Sequence, residues 1–251
     1  MNNQITIEFS NEAQNPANIG KVVLGAGLRV LVACEYSGRV RDAFTKFGFD
    51  AWSCDILPTE TPGQHFQCDI FEVLDQHWDL LIAFPPCTYL SSAGLHFCDI
   101  EKHGKKAIER IKKRNKAIEF FLDLYDSPIK HICLENPLGH VSANILKPTQ
   151  IIHPYYFGER EMKRTALWLK NLPPLKYKLQ ADLFGAATAT EKPEPYQIQV
   201  RKKTGQIKNR YFTDSFKNNK LKNAHEKSKL FQSIANEMAL QWSDVVSKAC
   251  T

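Results

Sequence analysis

Trp78-Asp79-Leu80-Leu81-Ile82-Ala83-Phe84-Pro85-Pro86-Cys87 is an apolar run that halts at two consecutive prolines. A strand with one wet face alternates apolar and polar residues. This run does not, so both of its faces must be covered. Proline fixes its own φ and lacks a backbone donor, which ends the strand at Pro85. Similar short runs lie at residues 28–33, 49–54, 65–68, 129–134 and 166–169. Between them stand helical patterns. Val40, Ala43, Phe44 and Phe47 recur at helical spacing and stop at Gly48. Farther on, Ile108, Ile111, Ile118, Phe121, Leu122 and Tyr125 share a face, with Lys105, Lys106, Lys112, Lys113 and Lys116 mostly elsewhere. A last helix over 230–246 sets Ile234, Met238 and Trp242 on one stripe. Strands alternating with helices predict an α/β fold: a Rossmann-like parallel sheet with helices on both faces and a small basic C-terminal appendage.

The 251 residues are 43% hydrophobic, enough for one core of roughly 150 residues and a smaller appendage. The pattern divides into a polar, flexible arm (1–27), the main domain (28–174), a basic region (175–229) and a closing helix that packs back on the domain (230–251). Net charge is +6, unevenly spread: residues 1–100 carry 5 basic and 12 acidic side chains, the remainder 28 and 15. An acidic front and a basic back suit a small-molecule site beside a polyanion surface. In the basic region Arg201-Lys202-Lys203, Lys208, Arg210, Lys217, Lys220 and Lys222 interleave with Tyr211, Phe212 and Phe216, a mixture that can hold phosphates and stack bases. The seven cysteines form no CxxC pair, so neither a zinc site nor a disulfide framework is indicated. No signal peptide and no membrane span are expected, and the location expected is cytoplasmic.

In such a sheet, ligands sit at the carboxyl ends of the strands. Those ends hold residues 34–38, Asp55, Asp69, Pro85-Pro86-Cys87 and Glu135-Asn136-Pro137. Cys54, Cys68 and Cys133 lie within strand runs and read as structural, whereas Cys87 follows a stiff Pro-Pro turn. A thiolate so placed can add to C6 of cytosine, which turns C5 into a nucleophile toward a bound methyl donor. Glu135 stands at the same mouth, where a carboxyl group can bind the N3 and N4 edge of a flipped cytosine and, protonated, stabilise the activated ring.

The order Pro86-Cys87-Thr88-Tyr89-Leu90-Ser91, then Glu135-Asn136-Pro137, resembles the DNA cytosine-5 methyltransferase family, whose hallmarks are Pro-Cys-Gln-x-Phe-Ser and Glu-Asn-Val. The whole is most similar to the short, divergent members encoded by bacteriophages and prophages, over about residues 28–170. The resemblance implies a class I methyltransferase sheet, S-adenosylmethionine as cofactor, no metal, and double-stranded DNA with one base flipped out. Cys87 would be the nucleophile, with Pro86 beside it, and Glu135 would hold and protonate cytosine, with Asn136 beside it. The family's Gly-rich turn corresponds to Ala33-Cys34-Glu35-Tyr36-Ser37-Gly38, which keeps one glycine. Glu35, Tyr36, Ser37 and Gly38, then Asp55 with Ile56, Asp69 with Ile70, and Pro85 would line the cofactor. Asp55 would bind the ribose hydroxyls and Asp69 the adenine amino group. Tyr156-Phe157-Gly158-Glu159-Arg160-Glu161-Met162-Lys163-Arg164 is similar to Phe-Gly-x-Pro-Gln-x-Arg-x-Arg, from which an arginine contacts the target base. Arg164 takes that part here, with Lys163 as the alternative.

Amino-methyltransferases place Asp, Asn or Ser before Pro-Pro and an aromatic after it. Phe84 cannot accept a hydrogen bond and Cys87 cannot stack. A cysteine phosphatase needs an arginine soon after the cysteine, and residues 88–93 hold none. Two alternatives stay open: a non-catalytic nucleic-acid or cofactor-binding protein, such as an anti-restriction decoy, and a C5-type enzyme acting on RNA or a free nucleotide.

Overall fold

The computed structural model describes residues 25, 27–177, 192–194, 197–200, 205, 207–210 and 229–248. Its strands are β1 (Arg29–Ala33), β2 (Asp50–Cys54), β3 (His65–Phe66), β4 (Leu80–Ala83), β5 (His131–Pro137), β6 (Gln150–Ile152), β7 (Thr165–Lys170), β8 (Gln197–Val200) and β9 (Ile207–Arg210). Its α-helices are α1 (Arg39–Thr45), α2 (Ile100–His103), α3 (Lys105–Tyr125), α4 (His140–Asn144) and α5 (Gln232–Lys248). Seven strands form one sheet in the order β3-β2-β1-β4-β5-β7-β6. The first five strands pair in parallel, in the doubly wound order 3-2-1-4-5. The far edge departs from the all-parallel sheet expected: β7 runs antiparallel to both β5 and β6. β6 is only three residues long, too short for its sequence to mark it as a strand.

Alternation along each strand sorts the core into two layers. Val30, Val32, Leu80, Ile82, Leu167 and Leu169 face α1 and α5. Leu31, Ala33, Leu81, Ala83, Ala166 and Trp168 face the other side, with Phe121 and Leu124 of α3. Each indole buried in these layers sends its N–H to a carbonyl, Trp168 to Leu146 at 2.9 Å and Trp242 to Pro173 at 3.0 Å. The α5 stripe of Ile234, Met238 and Trp242 lies as expected, fully buried. The stripe on α3 differs. Ala107, Phe121 and Leu124 are buried, while Ile108 is exposed, because only the second half of this 21-residue helix rests squarely on the sheet.

Gly25, inside the arm expected to be flexible, is buried against Phe49, and its N–H reaches Phe47 O at 3.1 Å. Leu175 also belongs to the core, one residue beyond the expected boundary. Residues 1–24 and most of the basic region, including Arg201, Lys202, Lys203, Tyr211, Phe212, Phe216, Lys217, Lys220 and Lys222, lie outside the described residues. Within that region β8 and β9 pair as an antiparallel hairpin, with Lys208 and Arg210 on β9. No described helix is long and apolar enough to cross a membrane. Among the described residues no group of three or more His, Cys, Asp or Glu is arranged to hold a metal.

Candidate active site

Cys87 opens a turn beyond β4. Its carbonyl accepts from Leu90 N at 3.0 Å and Ser91 N at 2.9 Å, so the chain doubles back directly after it. Pro85 is buried and its carbonyl accepts from Asn136 Nδ2 at 2.6 Å, which ties the end of β4 to β5. A second tie is the bridge between Ser91 and Gly139, with His140 N donating to Leu90 O at 2.7 Å. A Cβ on Gly139 would lie 2.0 Å from Leu90 O, so only glycine admits this approach. From the other side Arg110 donates to Thr88 O at 3.0 Å and Gly94 O at 3.1 Å. The nucleophile candidate is thus held by β5, α3 and the segment after β5.

Glu135 does not follow β5, as expected from sequence; it lies within it, opposite Leu167 of β7. The strand pairing therefore buries it. Burial raises its carboxyl above the ordinary value, and the nearby Lys163 charge partly offsets this. Cys87 is half-buried, and its thiol is raised by burial first and by the Glu135 charge second, with Lys163 pulling it down. Cys87, Glu135 and Lys163 consequently form one electrostatic cluster. Arg164 does not join it: its side chain is exposed and its charge acts on His153. Lys163, named in sequence only as the alternative, is the basic residue at this site. Two adjacent cations before β7 carry no periodic signal that would choose between them.

The other half of the mouth is the end of β1. Cys34 occupies the left-handed region (φ 57), a conformation that costs a non-glycine residue about 1 kcal/mol. Burial raises its thiol, and the charges of Asp55 and Asp69 raise it further, which brings the ends of β1, β2 and β3 together. Glu35 is buried. Its Oε1 accepts from Ser37 Oγ at 2.9 Å and Val40 N at 3.0 Å, while Oε2 has no hydrogen-bond partner among the described residues. Burial raises this carboxyl too. Asp55 Oδ1 accepts from Leu57 N at 2.9 Å, and Asp69 Oδ1 caps a short helical turn through Phe71 N at 3.1 Å. Ile56 stands 74% exposed beside them, whereas Ile70 is buried in the core.

Gly38 (φ 74) is packed, not open. A Cβ there would meet Thr61 Oγ1 at 2.1 Å and Arg41 Nη2 at 2.5 Å. Arg41 is the residue that sequence reasoning missed. Though charged, it is 1% exposed, and it bonds Asp42, Ser53, Thr59, Thr61 and the Pro62 carbonyl, strapping the β2–β3 connection to α1. Lys229 closes the same rim through an ion pair to Glu60 at 2.6 Å and lies 5.7 Å from the Tyr36 ring. Neither could be placed from sequence, since each acts across a long separation. The two halves meet where β1 neighbours β4, with Phe84 N donating to Ala33 O at 3.0 Å. That is the topological switch point, the usual crevice of a doubly wound sheet.

No protein-family model matches the chain, and no curated protein matches it.

Proposed function

We propose that this chain is a class I methyltransferase that transfers a methyl group from S-adenosylmethionine to C5 of cytosine in DNA, through a covalent bond between Cys87 Sγ and C6. The observation that carries the reading is the pair on adjacent strands β4 and β5: a thiol on a braced turn near a buried carboxyl that burial raises above its ordinary value. Cys87 loses its proton as Sγ attacks C6, and the displaced electron pair gathers on C5. The protonated Glu135 donates to N3 and neutralises the ring as it becomes anionic. C5 then takes the methyl group. Solvent takes the thiol proton at the outset and the C5 proton at the end; Sγ then departs as the C5–C6 double bond re-forms, and N3 returns its proton to Glu135. Lys163 favours the charged form of Cys87.

The donor supplies an electrophilic methyl group bound to a sulfonium. Its side of the mouth fits that chemistry in part. Glu35 Oε2 is a buried, unpartnered acceptor suited to an ammonium or hydroxyl. Asp55 and Ile56 stand together at the end of β2, an acceptor beside an exposed apolar surface, and Asp69 stands near them. The packed Gly38 favours a second reading, a binding protein that performs no transfer, because this glycine leaves no open cradle. Labelled methyl transfer to duplex DNA, run beside calorimetry of donor binding, separates the two. The proposal expects Cys87→Ala to lose transfer and keep donor binding. DNA binding by the wild-type protein with neither donor binding nor transfer would establish the second reading.

A further inference from the structure

A groove of about 460 Å³ opens beside the Cys87 turn, lined by Tyr89, Phe97, His103, Lys106, Arg110 and Lys113, with Glu109 as its acidic member. Its floor is aromatic and its walls are cationic. The Arg110 guanidinium lies 5.1 Å from the Tyr89 ring and 5.4 Å from Phe97, and Lys113 Nζ lies 5.9 Å from Tyr89. Phe97 is 47% exposed and packs at 4.0 Å on His96. From Lys105 to Lys116, α3 carries seven basic side chains against one acidic, Glu109. A helix face that only keeps a protein soluble mixes both signs. This one does not, and it adjoins two rings. Arg110 also holds the Thr88 and Gly94 carbonyls, so one wall of the groove is built from the residues that follow the candidate nucleophile.

We infer that this groove seats the strand of nucleic acid that carries the target base: its phosphates lie along Lys106, Arg110 and Lys113, and Phe97 offers a stacking face. The inference rests on the proposal that the substrate is nucleic acid, and it moves the binding surface from the basic region after residue 175 into the α/β domain itself. Charge complementarity selects the occupant. A protein partner would need acidic residues spaced to match, whereas phosphates repeat along every strand. Arg110 acts as a positioning residue for the Cys87 turn as well as a phosphate contact.

The test titrates the full-length protein, without methyl donor, against a labelled single-stranded oligonucleotide over a range of salt concentrations. The double variant Lys106→Ala/Lys113→Ala is compared with Lys46→Ala/Lys130→Ala, whose lysines precede β2 and β5 at the amino-terminal ends of the strands, away from the Cys87 turn. Thermal melts check that each variant is folded. The groove pair should lower the slope of log affinity against log salt by about 1.4, two phosphate contacts' worth, while the distal pair leaves it unchanged. Phe97→Ala should weaken binding about fivefold or more with the slope kept. An unchanged slope in the groove pair, or an equal fall in the distal pair, would overturn the inference and leave the methyl-transfer proposal standing. Absence of binding by the wild-type protein to both this oligonucleotide and the matching duplex would overturn both.

Discussion

At the scale of single residues, the site turns on a thiol and a carboxyl that burial raises and one cation, Lys163, that lowers both. Burial and Glu135 both favour the neutral Cys87 thiol, and Lys163 opposes them. The rate should therefore climb on the alkaline side as thiolate forms. Removing the cation in Lys163→Gln raises both the Cys87 and Glu135 values, so the rising limb should move to higher pH and activity near neutrality should fall roughly three- to tenfold. A profile that stays in place in this variant would remove Lys163 from the mechanism. Glu135 makes a separate prediction about stability. Its folded value is raised, so its contribution to stability is complete below the ordinary carboxyl value of 4.5 and is lost as pH rises through the folded value. Glu135→Gln escapes that loss. Urea denaturation should show the variant gaining on the wild-type protein between acid and neutral pH, even as methyl transfer collapses. A constant difference across that range would mean that folding leaves the Glu135 carboxyl at its ordinary value.

At the scale of elements, the straps decide whether the mouth keeps its shape. Arg41 is fully buried beneath the β2–β3 connection, and Arg41→Ala would leave the Pro62 carbonyl without this donor, the Thr61 carbonyl with Thr59 Oγ1 alone, and a void. That should cost about 2–4 kcal/mol in chemical denaturation. Trp242→Ala, in the stripe that seats α5 on the sheet, should cost about 3–5 kcal/mol. The parallel strands and α5 were legible because each is a local pattern: unbroken apolar runs for β1 and β4, a helical stripe for Ile234, Met238 and Trp242. Cys87 and Glu135 could be picked out because each stands in a short motif directly after an apolar run. What sequence could not show came from tertiary pairing. The antiparallel β7 carries β5 onward through Glu135 to Pro137, and no residue near Glu135 announces it. Arg41 reads as a solvated helix charge until the loop over 59–63 folds onto it. The choice of Lys163 over Arg164 depends on how the chain enters β7.

At the scale of the whole molecule, the sheet places two half-sites side by side at the β1/β4 switch point, acids on the β1–β3 side and the thiol on the β4–β5 side. Saturating the first half with S-adenosylmethionine at a hundredfold excess over its dissociation constant should stabilise the fold by about 2.7 kcal/mol, or roughly 5–10 °C in Tm. Asp55→Ala should diminish that shift and Cys87→Ala should preserve it. An equal shift in all three proteins would remove Asp55 from the donor site. The account as a whole stands on the covalent bond from Cys87 to the base, and trapping tests it most directly. The protein is incubated with S-adenosylmethionine and duplex DNA carrying 5-fluorocytosine, where fluorine occupies the position of the proton that must leave C5. The account predicts a stable protein–DNA adduct that survives denaturing electrophoresis and is absent from Cys87→Ala. Methylation of ordinary cytosine with no adduct on the fluorinated duplex, or an adduct that persists in Cys87→Ala, would contradict it.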